Sequence, residues 1–588
     1  MLYEGTNTAT LQPDHTLPPV ADARPSNPQW GILALTVFGA MLVYLLGNNS
    51  TFLWDRDEPR YAQCSKQMLT GYEGVGPTHQ NAHEPGLLVP HFLNDLRTQK
   101  PPLIYWLQST SMRIFGQNSF AARFPSSVSM LLVLLLLGWS YRQVVSSTVA
   151  NWAVFIMATS ALSVLAAKMC LTDATLLLWT TVAQICCYAI YRGNRSWKVV
   201  LPLWIALGLG GLTKGPIILA TVECGLLSLM FLDYFLDRKW NFKFLLSMQP
   251  IAWMLILVVI IGPWIVLIHK KEPTFLPRLM GAASAHLTSD TNQHSGPPGF
   301  YLALIWALFF PWSLLLPTAI TIAIKNRNSP IHRFCIGMTL GIWIFQEIMK
   351  TKLPFYILPT FPALSLLTAD AIDRCIRKEH DDLHRRIFKI TAHIFGFVII
   401  AMGLVGWLMY RPISTRLFHL DPEIANMAPI AATFLLSAIA IVFAWFVIDF
   451  FRKEKIKQGA LTLGIGALCI FCAIFTGYLP RAEYLKTPMR IAEMLKDKNI
   501  GPGDGVMLEY KEPSLAFYQG GTLIESEIKP IIRDSRPTWI IAPRDVYDDF
   551  PAELKSQLEI VGKPVKGLNY VGKIKGKSMI EILVLKRK

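Results

Sequence analysis

The chain has 588 residues, a mean hydropathy of +0.37 and 52% hydrophobic residues, which excludes an ordinary water-soluble globular protein. Its formal net charge of +16 implies no nucleic-acid partner, because the basic residues collect in short loops between apolar runs. The nine cysteines give no disulfide framework: Cys469 and Cys472 sit in an apolar run, and no cysteine follows them.

Residues 1–29 are polar and proline-rich and read as a cytoplasmic disordered tail without signal-peptide layout. Residues 30–480 read as a transmembrane domain. Its apolar runs, at 31–47, 120–140, 150–167, 172–191, 199–213, 216–236, 249–268, 300–323, 334–349, 353–370, 388–409, 429–450 and 459–478, are each near the length that crosses a ~30 Å hydrocarbon core. Residues 481–588 alternate polar and apolar, with strands expected at Val506–Tyr510, Trp539–Ala542 and Met579–Leu585. The fold class is therefore an all-α polytopic membrane protein of about 13 helices with a small α/β domain at its C-terminal end.

One alternating set of loops is short and basic, as with Arg192, Arg195 and Lys198, or Arg452, Lys453, Lys455 and Lys457. Positive-inside orientation then puts the N-terminus in the cytoplasm and the C-terminal domain outside. The opposite face collects every chemically suggestive group. It holds the long segment 48–119, the turns at 168–173 and 213–216, the loop 269–299 and the turn Lys350–Pro354. Its acids are Asp57, Glu58, Asp173 and Glu272; its cations are Lys100, Lys214, Lys350 and Lys352; His286 and His294 lie in the 269–299 loop.

Asp57 and Glu58, followed by Pro59, could do no more than start a helix, where negative charge is favoured. Bilayer-edge anchors are mostly Trp, Tyr, Lys and Arg, so the carboxylates ask for another explanation. Lysines at the rim suit a phosphate headgroup as point charges. A carboxylate beside them suits a general base, or a counter-charge to a developing positive sugar centre. Asp55-Arg56-Asp57 also matches the short Asp-x-Asp pattern, but a lipid-linked donor fits this face better than a nucleotide sugar.

The sequence resembles the lipid-linked glycosyltransferases of the GT-C class. The match runs in order through Trp54–Leu69, Leu88-Val89-Pro90, Lys100-Pro101-Pro102 with Tyr105-Trp106, and Leu171-Thr172-Asp173. It continues through Leu212-Thr213-Lys214-Gly215-Pro216, Glu272-Pro273 and Lys352-Leu353-Pro354 with Tyr356 to Pro359. Within the class it is similar to bacterial lipid A aminoarabinose transferases and, more remotely, to protein O-mannosyltransferases. The resemblance implies an inverting transfer from a polyprenyl-phosphate-linked sugar to a lipid or protein acceptor in the envelope, by a monomer. Asp57, Glu58 and Asp173 would be the catalytic acids. Lys100, Lys350, Lys352 and Arg60 would hold the lipid phosphate, and Tyr61, Lys214, Tyr356 and Glu272 would line the substrate cavity.

The aminoarabinose transferases carry Glu-Lys-Pro where this chain has Gln99-Lys100-Pro101, and that glutamate with a histidine, here His286, would hold zinc. A neutral amide is a poor zinc donor, so no required cofactor is expected. An arginine expected after that histidine is also missing from Leu287-Thr288-Ser289-Asp290. The competing class is a transporter of lipid-linked sugars. It would place ionisable groups near the bilayer midplane, where here only Glu223 stands out.

Overall fold

A computed structural model of the protein describes residues 29–588 apart from 54–56, 72–82, 94, 239, 289–295, 380–381, 409–426, 428, 511, 529–536 and 569–578. The chain opens with α1 (Trp30–Leu45), then α2 (Asp57–Thr70), the hairpin β1 (His91–Phe92) and β2 (Asp95–Leu96), α3 (Leu103–Phe115) and α4 (Ser119–Tyr141). Next come α5 (Ser147–Thr159), α6 (Ala161–Lys168), α7 (Asp173–Tyr191), α8 (Trp197–Lys214) and α9 (Ile217–Asp237). By length and composition, seven described helices can cross a membrane, and nine if two bent pairs each count as one span. Lipid-facing surface is evident on Pro250–Lys271, which exposes Leu255, Val258, Val259 and Leu267, and on Ile430–Arg452, which exposes Leu435 and Trp445.

Two runs expected as continuous spans are broken. The 150–167 run bends by 59° between α5 and α6, and the 300–323 run bends by 116° between Phe300–Leu308 and Trp312–Lys325. The breaks satisfy each other. Ser160 takes an extended conformation, and the Ala161 N–H donates to the Phe310 carbonyl at 2.8 Å. The Trp312 indole N–H donates to the Thr159 hydroxyl at 2.8 Å. Backbone released from a helix inside a membrane protein has to find such a partner, and the sequence signal of an apolar run does not reveal it.

The C-terminal part forms a six-stranded mixed sheet in the order β4 (Ile524–Ser526), β3 (Gly505–Leu508), β5 (Trp539–Pro543), β8 (Met579–Arg587) and β6 (Leu558–Ile560), with β7 (Val565–Leu568) sharing the β6 edge of β8. Strands β3, β4 and β5 are parallel, and β8 runs antiparallel to its neighbours. Both faces of β3 and β5 are buried. Met507 and Ile541 pack with Ile491, Leu495 and Leu515, while Val506, Leu508, Ile540 and Ala542 pack with Phe550 and Leu554.

Segment 48–119 is fastened by one buried ion pair. The Arg123 Nε and Nη2 donate to the two Glu58 carboxylate oxygens at 2.7 and 3.0 Å. The same guanidinium donates to the carbonyls of Asn48, Thr51 and Phe52 and to the Thr51 hydroxyl, at 2.6–3.0 Å. Glu58 Oε1 also accepts the Cys170 N–H at 3.0 Å. Both side chains are essentially fully buried. The Glu58 carboxylate, expected among the catalytic acids, is engaged in the fold by these bonds.

Removing one member of such a pair leaves a buried charge uncompensated, at a cost of about 3–5 kcal/mol. Glu58→Gln should therefore clearly lower the thermal unfolding midpoint of detergent-purified protein. Equal stability of Glu58→Gln and wild type would show that the pair does not hold this segment.

Candidate functional site

Five separate chain segments bring polar groups to one place. Helix α2 begins at Asp57, whose carboxylate is half exposed, and presents Arg60 one turn on, with Nη1 3.7 Å from Asp57 Oδ1. The segment after the β1–β2 hairpin supplies Arg97, whose Nη2 lies 3.8 Å from the same oxygen, and then Lys100. Helix α7 begins at Asp173 and α8 ends at Lys214, and their side chains meet with Nζ 2.7 Å from Oδ1. The turn Pro354–Thr360 adds Tyr356, whose ring lies 4.3 Å below the Lys214 ammonium.

Helix geometry favours these charges. Asp57 and Asp173 occupy first turns, and Lys214 occupies a last turn, so each sits at the helix end that stabilises its sign. Lys100 lies within electrostatic reach of Lys214, Asp57, Arg97 and Asp173, and its ammonium pKa is pushed down to about 8, chiefly by burial and then by Lys214. Tyr61 and Tyr105 are buried, which raises both hydroxyl pKa values. Both therefore stay protonated and can donate to an anionic or sugar oxygen.

The remaining expected residues are placed differently. Lys352 is buried, donates to the Glu347 carbonyl at 2.8 Å and pairs with its carboxylate at 3.5 Å. That carboxylate also receives the Gly299 and Tyr301 N–H groups, so Lys352, expected as a phosphate ligand, is engaged in fastening its turn. Lys350 is exposed. Glu272 accepts the Thr274 hydroxyl at 2.6 Å at the start of helix Phe275–Thr288. His286 is in that helix with its side chain outside the described residues, and His294 lies outside them altogether. Gln99 is exposed, and no group of three or more His, Cys, Asp or Glu converges among the described residues. Of the expected zinc ligands, Gln99 offers only a neutral amide, a poor donor to zinc.

By residue type alone, Ser65, Lys66 and Gln67 would form a polar side of α2. Ser65 and Gln67 are instead buried in specific contacts: the Ser65 hydroxyl donates to Gln108, and the Gln67 amide exchanges hydrogen bonds with Leu93 N–H and C=O. The C-terminal part seals the other side. The Tyr518 hydroxyl accepts the Leu53 N–H at 2.6 Å and bonds the Ser119 hydroxyl at 3.0 Å. Gly521, with φ +93°, lets the Gln63 amide approach so closely that an added Cβ would lie 2.5 Å from its nitrogen. Arg97 was missed altogether: it has no motif of its own, and its only sequence clue is its place three residues before Lys100.

Residues 78–276 match the family described as dolichyl-phosphate-mannose-protein mannosyltransferase. The fold is that of a crystal structure of ArnT from Cupriavidus metallidurans bound to undecaprenyl phosphate, with a TM-score of 0.72 and 18% identity over 95% of this chain and 98% of that one. The class so defined is a multi-pass membrane glycosyltransferase. The undecaprenyl phosphate-α-4-amino-4-deoxy-L-arabinose arabinosyl transferase of Yersinia enterocolitica is 31% identical over 65% of this chain and 67% of its own length. A second arabinosyl transferase of that name, from Proteus mirabilis, is 27% identical over 83% of this chain and 85% of its length. The chain belongs to this arabinosyl transferase family.

Tyr518→Phe removes the acceptor of the Leu53 N–H four residues before Asp57. The expected result is a loss of about 1–3 kcal/mol in stability, the cost of leaving such a group unsatisfied. Hydrogen exchange should quicken at 50–62. Unchanged exchange there would mean that the C-terminal contact does not steady the start of α2.

Proposed function

We propose that the protein transfers 4-amino-4-deoxy-L-arabinose from undecaprenyl phosphate to a lipid A type acceptor at the outer face of the inner membrane. The observation that carries this reading is the convergence of Asp57, Lys100, Asp173, Lys214 and Tyr356 from five segments, in a chain of this family. An acceptor oxygen attacks the anomeric carbon from the face opposite the phosphate. The bond from that carbon to the phosphate oxygen breaks, its electron pair stays on the phosphate, and the sugar centre inverts.

In this scheme Asp57 takes the acceptor proton, being the carboxylate of the site with most solvent access. Lys100 and Arg60 hold the lipid phosphate, with exposed Lys350 at the entrance. Asp173, oriented by Lys214, lines the sugar pocket with Tyr61 and Tyr356. Glu58 and Lys352 support the site from behind, and Glu272 shapes the neighbouring helix start. Short basic loops and the apolar runs support thirteen spans, a cytoplasmic tail at 1–29, a membrane domain at 30–480 and a periplasmic domain at 481–588.

Asp57→Asn keeps the side-chain volume and removes the base. Turnover of undecaprenyl-phosphate aminoarabinose should fall by about 10²–10⁴-fold, with undecaprenyl phosphate binding changed only a few-fold. Near-normal turnover would return Asp57 to helix capping. Transfer to a protein acceptor in place of lipid A would redirect the reading to the mannosyltransferase-like branch.

The Lys100 charge is lost as pH rises through about 8, because its folded pKa lies below the usual lysine value. Affinity for undecaprenyl phosphate should hold steady from about pH 7 to 8 and then weaken by about tenfold per unit. Lys100→Arg should flatten that decline, since a guanidinium stays charged. Affinity independent of pH up to about 10 would place the phosphate elsewhere.

A further inference from the structure

Arg97 is the buried cation of the site that the proposed scheme leaves without work. The residue is 7% exposed, and its guanidinium carbon lies 5.5 Å from the centre of the Tyr61 ring. Its backbone N–H donates to the Pro90 carbonyl at 3.0 Å, which ties it to the base of the β1–β2 hairpin. The nearest carboxylate oxygen, on Asp57, is 3.8 Å away, beyond the ~2.7–2.9 Å of a charge-assisted hydrogen bond. The buried Tyr105 hydroxyl lies beside the Arg97 guanidinium, and neither that hydroxyl nor the Arg97 Nε has a hydrogen bond of good geometry, to each other or to any other described residue.

A buried guanidinium with an unused donor is costly in an apolar setting, and its neighbours in the fold do not meet that cost. Arg123 makes the contrast plain. It too is buried, and two carboxylate bonds with several carbonyl bonds engage all three of its nitrogens. Arg97 is held in place by its backbone and its ring stack while its polar edge is left available beside Asp57.

The charge balance indicates what that edge receives. Around Asp57 the described residues place four cations, Arg60, Arg97, Lys100 and Lys214, against two carboxylates, Asp57 and Asp173. The surplus is two positive charges. A sugar phosphodiester carries one negative charge, whereas a free phosphate monoester carries close to two above its second pKa of about 6. The site is therefore matched to the phosphate after the sugar has left. Interactions stronger with developing charge than with the bound reactant lower the barrier.

We propose that Arg97, with the Tyr105 hydroxyl, is the leaving-group site of the transferase: it receives the second negative charge that appears on the lipid phosphate as the bond to the anomeric carbon breaks. The proposal rests on the function proposed above and assigns Arg97 a task separate from Lys100, which meets the charge already present on the donor.

The test compares two lipids with the purified, full-length protein: undecaprenyl phosphate, a monoester, and its methyl diester, which keeps a single charge. Wild type should bind the monoester at least about tenfold more tightly at pH 7.5, the factor that one extra ion pair of about 1.4 kcal/mol gives. Arg97→Gln should lose most of that preference, with diester affinity changed less than about threefold, and Arg97→Lys should regain part of it. Thermal unfolding without lipid controls for folding, since a merely structural Arg97 would lower stability and weaken both lipids alike. Equal loss of both lipids, or an undiminished preference in Arg97→Gln, overturns the assignment while leaving the proposed function standing. Wild type that binds neither lipid overturns the proposed function itself.

Discussion

The buried pair between Arg123 and Glu58 is the interaction on which the site depends. Its guanidinium gathers the carbonyls of Asn48, Thr51 and Phe52, which fixes the chain just before Asp57. Its carboxylate partner is the residue directly after Asp57 and also takes the Cys170 N–H, three residues before Asp173. One ion pair on α4 and α2 thus sets the positions of both acids that open onto the site. A buried ion pair is seldom a net source of stability, and it tolerates few alternative geometries. Here the restricted geometry is what the site needs.

Tight and loose ion pairs divide the labour. Arg123 with Glu58 and Lys214 with Asp173 close at 2.7 Å and are spent on architecture or orientation. Arg60 and Arg97 stand 3.7 and 3.8 Å from Asp57, too far for a charge-assisted hydrogen bond. The Tyr61 ring lies against Arg97, and the Tyr356 ring adds to the Asp173 carboxylate in holding Lys214, since a ring face attracts a cation without neutralising it.

The C-terminal part is fastened to the same helix. Helix Pro513–Gln519 brings Tyr518 onto Leu53 and Ser119, and Lys66 lies 5.5 Å from the centre of the Phe517 ring, so α2 is packed between membrane helices and the sheet-bearing part. This explains why Ser65 and Gln67 are buried rather than wet. Their polar groups pair with Gln108 and Leu93 in a contact that did not exist at the level of a single helix. The broken spans at Ser160 and Phe310 follow the same logic, each using the other's freed backbone group.

The sequence by itself determined the membrane class and the glycosyltransferase family, and it singled out Asp57, Lys100 and Asp173. Hydropathy, loop charge and ordered motifs are local quantities, so they survive without coordinates. It also marked Glu58 and Lys352 as site residues, since a carboxylate or ammonium reads the same whether it meets substrate or a buried partner. Only the tertiary structure separated those uses, by placing Arg123 on Glu58 and Glu347 on Lys352 from 65 and 5 residues away. It alone brought Arg97 beside Asp57, because that meeting depends on a hairpin turn and the packing of α3 against α2. Nothing in the order of side chains encodes such a meeting locally.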